Sequence, residues 1–147
     1  MRKSAVILIA VIILLLVITL ISPNILAKTN SPSYCGSCHV MQEQYNAWAK
    51  GGLHNNIKCV DCHLPNDSKV KFYVWKAIDG GKDFVAFHTG AVPERIQASS
   101  HSKKTIQSNC IRCHQGVVSK MLNSEGRNCW DCHKRISHKL TGLRQTL

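Results

Sequence analysis

Cys35-Gly36-Ser37-Cys38-His39 recurs in variant form as Cys59-Val60-Asp61-Cys62-His63, Cys110-Ile111-Arg112-Cys113-His114 and Cys129-Trp130-Asp131-Cys132-His133. These four copies use all eight cysteines of the chain. C-x-x-C-H is the attachment motif of c-type haem. Its two thiols add across the vinyl groups as thioethers, and the next residue offers an imidazole to the iron. Positions i and i+3 of a helical turn face one side, so both sulfurs reach one porphyrin edge. Cys₄ zinc sites, disulfides or an iron–sulfur cluster could also use C-x-x-C pairs. None of them needs a histidine after every second cysteine. The expectation is four covalently attached haem c groups, held by Cys35, Cys38, Cys59, Cys62, Cys110, Cys113, Cys129 and Cys132.

Each iron takes up to two axial ligands from protein, and the motif gives at most one. Four histidines lie outside the motifs: His54, His88, His101 and His138. Four bis-histidine haems is therefore the plainest sum. Two stretches offer other donors. The first motif continues His39-Val40-Met41, and residues two apart on a helix point about 200° apart, so both cannot bind one iron. Either His39 is the ligand and Met41 packs, or Met41 displaces it; spacing alone favours packing. Lys76 and Asp83 are seven apart and share a face if a helix survives Gly80-Gly81. The plain reading is a solvated charged face. A buried lysine that loses its proton is also a nitrogen ligand.

The elements that must hold these groups are few. The chain has 147 residues, and about 28 of them precede any soluble core. Roughly 120 remain, or about one haem per 30 residues, too few to build an ordinary core as well. The fold expected is mostly α with much irregular structure, the porphyrins serving as much of the interior. An aromatic fraction of only 6% fits. The motif starts, 35, 59, 110 and 129, fall into two close pairs. The second member of each pair is the similar one (Cys-x-Asp-Cys-His), which suggests a duplicated dihaem module.

Arg2 and Lys3 precede an unbroken apolar run, Ala5 to Ile21, that stays apolar past Pro23 to Ala27. Seventeen helical residues span roughly 25 Å and 23 span roughly 35 Å. A cleaved signal peptide would have a shorter apolar stretch, and Ile25-Leu26-Ala27 puts a bulky residue where cleavage wants a small one. The expectation is a retained single transmembrane helix, residues 1–28, with its basic end in the cytoplasm. Residues 29–147 then form a periplasmic tetrahaem domain at the bacterial inner membrane. The connector Lys28 to Ser33 is short, so the first haem sits near the bilayer, within reach of a lipid-soluble electron partner.

Further along, apolar periodicity predicts a helix from Tyr34 to about Lys50, ended by Gly51-Gly52. A second helix is expected from Asn66 to Gly90, broken at Gly80-Gly81. After Pro93 a polar helix or loop leads to the third motif, and a basic tail ends at Leu147. The net charge of +11 is offset in large part by about eight haem propionate charges, so nucleic acid is not expected as a partner.

The anchor, Cys35-Gly36-Ser37-Cys38-His39-Val40-Met41, then Trp48 and His54 ahead of Cys59-Val60-Asp61-Cys62-His63-Leu64-Pro65, resembles the membrane-bound quinol dehydrogenases of the NapC/NirT type. The small size is similar to the NrfH branch, which anchors cytochrome c nitrite reductase. The resemblance covers nearly the whole chain and implies a specific ligand set. Met41 takes the first iron in place of His39, with Asp83 at the open side where quinol binds. His63 pairs with Lys76, His114 with His138, and His133 with His54; His101 could replace either distal histidine, and His88 is structural. It also implies menaquinol or a similar quinol as electron donor, Asp83 and Lys76 as the catalytic pair, and a hetero-oligomer with a periplasmic multihaem reductase. Nothing resembles a nitrite-reducing site in the chain itself.

Overall fold

The computed structural model describes residues 2–120 and 127–138; the basic tail lies outside them. Among the described residues every regular element is helical. Helix α1 (Arg2–Thr29) contains Pro23. Its stretches Ser4–Ile18 and Pro23–Thr29 meet at 42°. Proline removes one amide donor and pushes its ring against the carbonyl four residues back, which bends a helix there. No single straight helix among the described residues is long and apolar enough to cross a membrane; the bent pair meets the criterion together. The large side chains from Val6 to Ile18 are exposed.

The first motif is not carried on one helix, which corrects the expected run from Tyr34 to Lys50. Helix α2 (Pro32–Cys35) starts where Ser31 Oγ accepts from the Tyr34 amide at 3.3 Å. It stops at once, because Ser37 Oγ donates to the Tyr34 carbonyl at 2.7 Å. Cys38 is extended (φ −85°, ψ 127°), a 3₁₀ turn covers His39–Met41, and α3 (Gln42–Ala49) follows. Tyr45 closes the turn: a Cβ on the buried Gly36 would sit 2.6 Å from its ring. Gly51-Gly52 ends α3 as expected, with Gly52 at φ 66°.

Helix α4 (Cys59–His63) and helix α7 (Cys129–Cys132) explain the aspartate shared by the second and fourth motifs. Asp61 accepts from the Lys58 amide at 3.2 Å and Asp131 from the Asn128 amide at 2.8 Å. Each carboxylate closes the first turn of its motif helix by satisfying an amide with no helical partner. The likeness between the two motifs is thus a shared helix start.

Helix α5 (Lys69–His88) runs unbroken through Gly80-Gly81, so the expected break is corrected. Glycine costs a helix roughly 0.5–1 kcal/mol against alanine, which weakens α5 but does not stop it. The chain leaves α5 at Thr89 and turns at Gly90, φ 69°. Helix α6 (Ser100–Val118) holds the third motif and departs from helical geometry at His114 (φ −106°, ψ 18°). A 3₁₀ turn, Lys134–Ser137, follows α7 and delivers His138 in the left-handed conformation.

These helices do not enclose a core of their own. Among the described apolar residues only Ala47 and Leu64 are buried. The tightest join is polar: buried Asn109, on α6, donates its amide to the carbonyls of Cys62 at 2.9 Å and Leu64 at 2.8 Å. It locks the end of the second motif to the start of the third. Asn109→Ala removes both of these bonds, leaving the Leu64 carbonyl to Asn66 alone, and costs about 1–3 kcal/mol, which thermal unfolding of the haem-loaded protein measures.

Candidate functional site

The four motifs form a continuous row. The Cys59 thiol hydrogen-bonds Cys35, which draws Cys35 down to about 7 and pushes Cys59 up. Cys62 lies close enough to Cys113 to be raised further by it, beyond the effect of burial and Asp61. Cys110 and Cys129 are in hydrogen-bond contact, and burial with these neighbours takes Cys110 to about 11. Gln107 Oε1 accepts from the Cys129 amide at 3.0 Å, tying α6 to α7. The order in space is therefore the order in sequence, first to fourth. None of the eight cysteines is joined to another as a disulfide. Among the described residues no three of His, Cys, Asp or Glu are grouped as a metal-ion site. Paired thiols with an adjacent imidazole, in a chain whose own side chains make almost no core, fit covalent haem rather than zinc or disulfides.

The histidines meet across the two halves of the chain. The rings of His54 and His114 are 6.1 Å apart, as are those of His63 and His138. Burial lowers both His63 and His138, and the charge of His138 lowers His63 further. Both shifts favour the neutral imidazole, the form that binds iron. The pairs carried over from the family, His114 with His138 and His54 with His133, are not among the ring contacts of the described residues. His133 follows α7 with an exposed side chain. His101 stacks on Trp75 at 3.5 Å, and its Nε2 is buried without a hydrogen-bond partner. His88 lies 2.8 Å from the Phe84 carbonyl through Nδ1, a local contact.

His39 and Met41 are separated as expected. In a 3₁₀ turn of three residues per turn, positions two apart still diverge by about 240°. The His39 ring packs near Phe87 at 5.8 Å, while Met41 is half-buried.

Lys76 and Asp83 share one face of the unbroken α5, and both charges act on Cys35. Lys76 Nζ donates to the Leu26 carbonyl at 3.5 Å and to Asn30 Oδ1. It therefore stands between the last turn of α1 and the first motif, while the charged neighbour felt by His63 is His138. Burial lowers Lys76, opposed by Cys35. Burial raises Asp83, reinforced by Asp79 and opposed by Lys82. A lysine whose ammonium is disfavoured and an aspartate whose carboxylate is disfavoured thus share the face of α5 whose charges reach the first motif.

Asn30, Gln107 and Asn109 were not singled out from the sequence. Asn109 and Asn128 each stand immediately before a motif cysteine, and that position was the available signal.

Comparison with known proteins follows the same lines. The description "NapC/NirT cytochrome c family, N-terminal region" matches residues 1–104. The cytochrome c-type protein NrfH of Wolinella succinogenes is 34% identical over 123 residues, covering 75% of this chain and 70% of that protein. The cytochrome c nitrite reductase subunit NrfH of Nitratidesulfovibrio vulgaris is 32% identical over 111 residues, covering 75% and 69%. Among solved structures, a chain of the cytochrome c nitrite reductase NrfHA complex bound to the inhibitor HQNO superposes with a TM-score of 0.74 at 25% identity. That match covers 94% of this chain and 93% of the other.

Proposed function

The chain belongs to the NapC/NirT cytochrome c family, and on that premise we propose that it is a membrane-anchored tetrahaem quinol dehydrogenase. It oxidises menaquinol or a similar quinol and donates electrons to a periplasmic reductase, cytochrome c nitrite reductase in the first place. The observation that carries this is that Lys76, bonded to the end of α1, and Asp83, on the same face of α5, both act by charge on Cys35 of the first motif. The inhibitor-bound NrfHA neighbour supports the partner. Covalently bound haem c follows from the family; four groups follow from the four motifs.

The eight motif cysteines hold the haems. Met41, His63, His114, His133, His138 and His54 are the proposed axial ligands; the resemblance also gives Lys76 to the second iron, and we assign it to quinol instead. When bound, the haems supply one-electron transfer, taking a quinol's two electrons singly and passing them to the partner. The chain's own task is position and proton handling. α1 brings the site to the bilayer. Asp83 accepts a quinol hydroxyl proton as general base. Lys76, held by Asn30 and Leu26, orients the quinol oxygen and stabilises negative charge developing on it.

The ring contacts favour one alternative ligand set, in which His54 and His114 share an iron and His63 and His138 share another. The pairing implied by the resemblance would instead put the two rings of each contact on different irons. A double variant, His63→Ala with His138→Ala, separates the two by electron paramagnetic resonance. We expect two low-spin signals to change; loss of one alone supports a shared iron.

The function itself is tested by adding a quinol analogue to the purified full chain. Haem reduction that a quinone-site inhibitor blocks is the expected result. Reduction by dithionite but not by quinol would leave a passive tethered carrier.

A further inference from the structure

Helix α5 turns its apolar side outward. One face carries Phe72, Trp75, Lys76 and Asp79, half-buried, together with the more exposed Asp83. At about 100° per residue the opposite sector, about 140° wide, carries Val70, Tyr73, Val74, Ile78, Phe84 and Val85. These are 72%, 49%, 49%, 40%, 63% and 58% exposed. No Lys, Arg, Asp or Glu falls within that sector. Lys69 lies at one margin and Lys82 at the other; Lys71, beside Lys82, is paired with Asp67 at 2.5 Å. A helix at a protein–water boundary has the reverse arrangement.

The surroundings of α5 say what covers the stripe. Its midpoint is fixed to the end of α1 through Lys76, which donates to the Leu26 carbonyl and Asn30. Ile25, in the same turn of α1, is itself 50% exposed. The contact lies on the face of α5 opposite the stripe and sets α5 at the level where α1 ends. Flanking lysines with long apolar stems suit a phosphate-lined boundary, where the stem lies along hydrocarbon and the ammonium reaches the headgroups. Tyr73 has the amphipathic ring favoured at that depth.

We propose that α5 is a second membrane contact, lying in the bilayer interface with its apolar stripe among the acyl chains and Lys69 and Lys82 against anionic lipid headgroups. The inference rests on the anchored quinol-oxidising reading. It gives α5 two faces with two tasks: lipid on one side, Lys76 and Asp83 on the other. A quinol headgroup then enters beside the helix, with its tail still in lipid.

The test uses the full haem-loaded chain in phosphatidylcholine vesicles with and without phosphatidylglycerol. A carbene-generating probe dissolved in the lipid is photolysed, and labelled residues are mapped by mass spectrometry. Labelling of Val70, Val74, Ile78 and Val85 several-fold above that of Asn55 and Gln115, rising with phosphatidylglycerol, is the expected result. Label on α1 alone overturns the proposal and leaves the anchor standing. Label on neither helix overturns both. An unlabelled α5 that cross-links to a second copy assigns the stripe to a dimer and also overturns it. Val74→Asp with Val85→Asp, both exposed, keeps the haem content but loses the α5 label and slows oxidation of a long-tailed quinol in vesicles. Oxidation of a water-soluble analogue stays the same.

Discussion

Asp83→Asn lowers quinol oxidation by about 10²–10⁴-fold and leaves the haem content and haem spectrum unchanged. The side chain keeps its shape but can no longer accept a proton. Haem attachment survives because Asp83 acts on the first motif only through its charge. Initial rates with a quinol analogue, set beside a haem-stained gel, measure both halves of this result. The pH dependence follows with a definite sign. Burial, then Asp79, holds Asp83 above its ordinary value of 3.8. Activity needs the carboxylate, so it is present above the raised pKa and is lost as pH falls through it. The acid limb of the rate profile is therefore shifted upward from where an unperturbed aspartate would put it. Asp79→Asn removes a repelling charge and moves that limb to lower pH. An acid limb unmoved by Asp79→Asn would assign it to another group.

Lys76→Met lowers quinol oxidation by about 10–100-fold, the effect of losing one charged hydrogen bond of about 1.5–3 kcal/mol in the transition state. The low-spin haem signals stay as they are. The family resemblance gives Lys76 to the second iron, opposite His63. The geometry gives it other neighbours: the Leu26 carbonyl, Asn30 and the charge at Cys35. Electron paramagnetic resonance and quinol kinetics on one sample separate the roles. Conversion of one low-spin haem to high spin would return Lys76 to the ligand set. Asn30→Ala gives a weaker form of the same kinetic loss, since it frees the ammonium without removing it.

The chemistry was legible because it is written in residue type and spacing. Four cysteine pairs with adjacent histidines need no tertiary information to be read, and neither does an apolar run of the length seen before Pro23. The segmentation of helices was less legible. The first motif contains helix-forming residues at helical spacing, but Ser37 caps Tyr34 and Tyr45 packs over Gly36, so side-chain contacts decide against one helix. At Gly80-Gly81 the local preference points to a break, yet nothing lies within 4 Å of either added Cβ. The pair is a weak spot in a helix long enough to carry it. Asn109 was illegible for another reason: a buried amide that satisfies two distant carbonyls has no local pattern at all. The join between Lys76 and the end of α1 likewise spans 46 positions to Asn30.

The most direct test of the account is isolation of the tagged full chain from detergent-solubilised membranes, followed by quinol-driven nitrite consumption. A larger haem protein that comes with it, and nitrite consumed only when quinol is supplied, is the predicted result. A chain that comes alone but is reduced by quinol keeps the dehydrogenase and assigns the electrons to another reductase. A chain that quinol cannot reduce, alone or with its partner, contradicts the account.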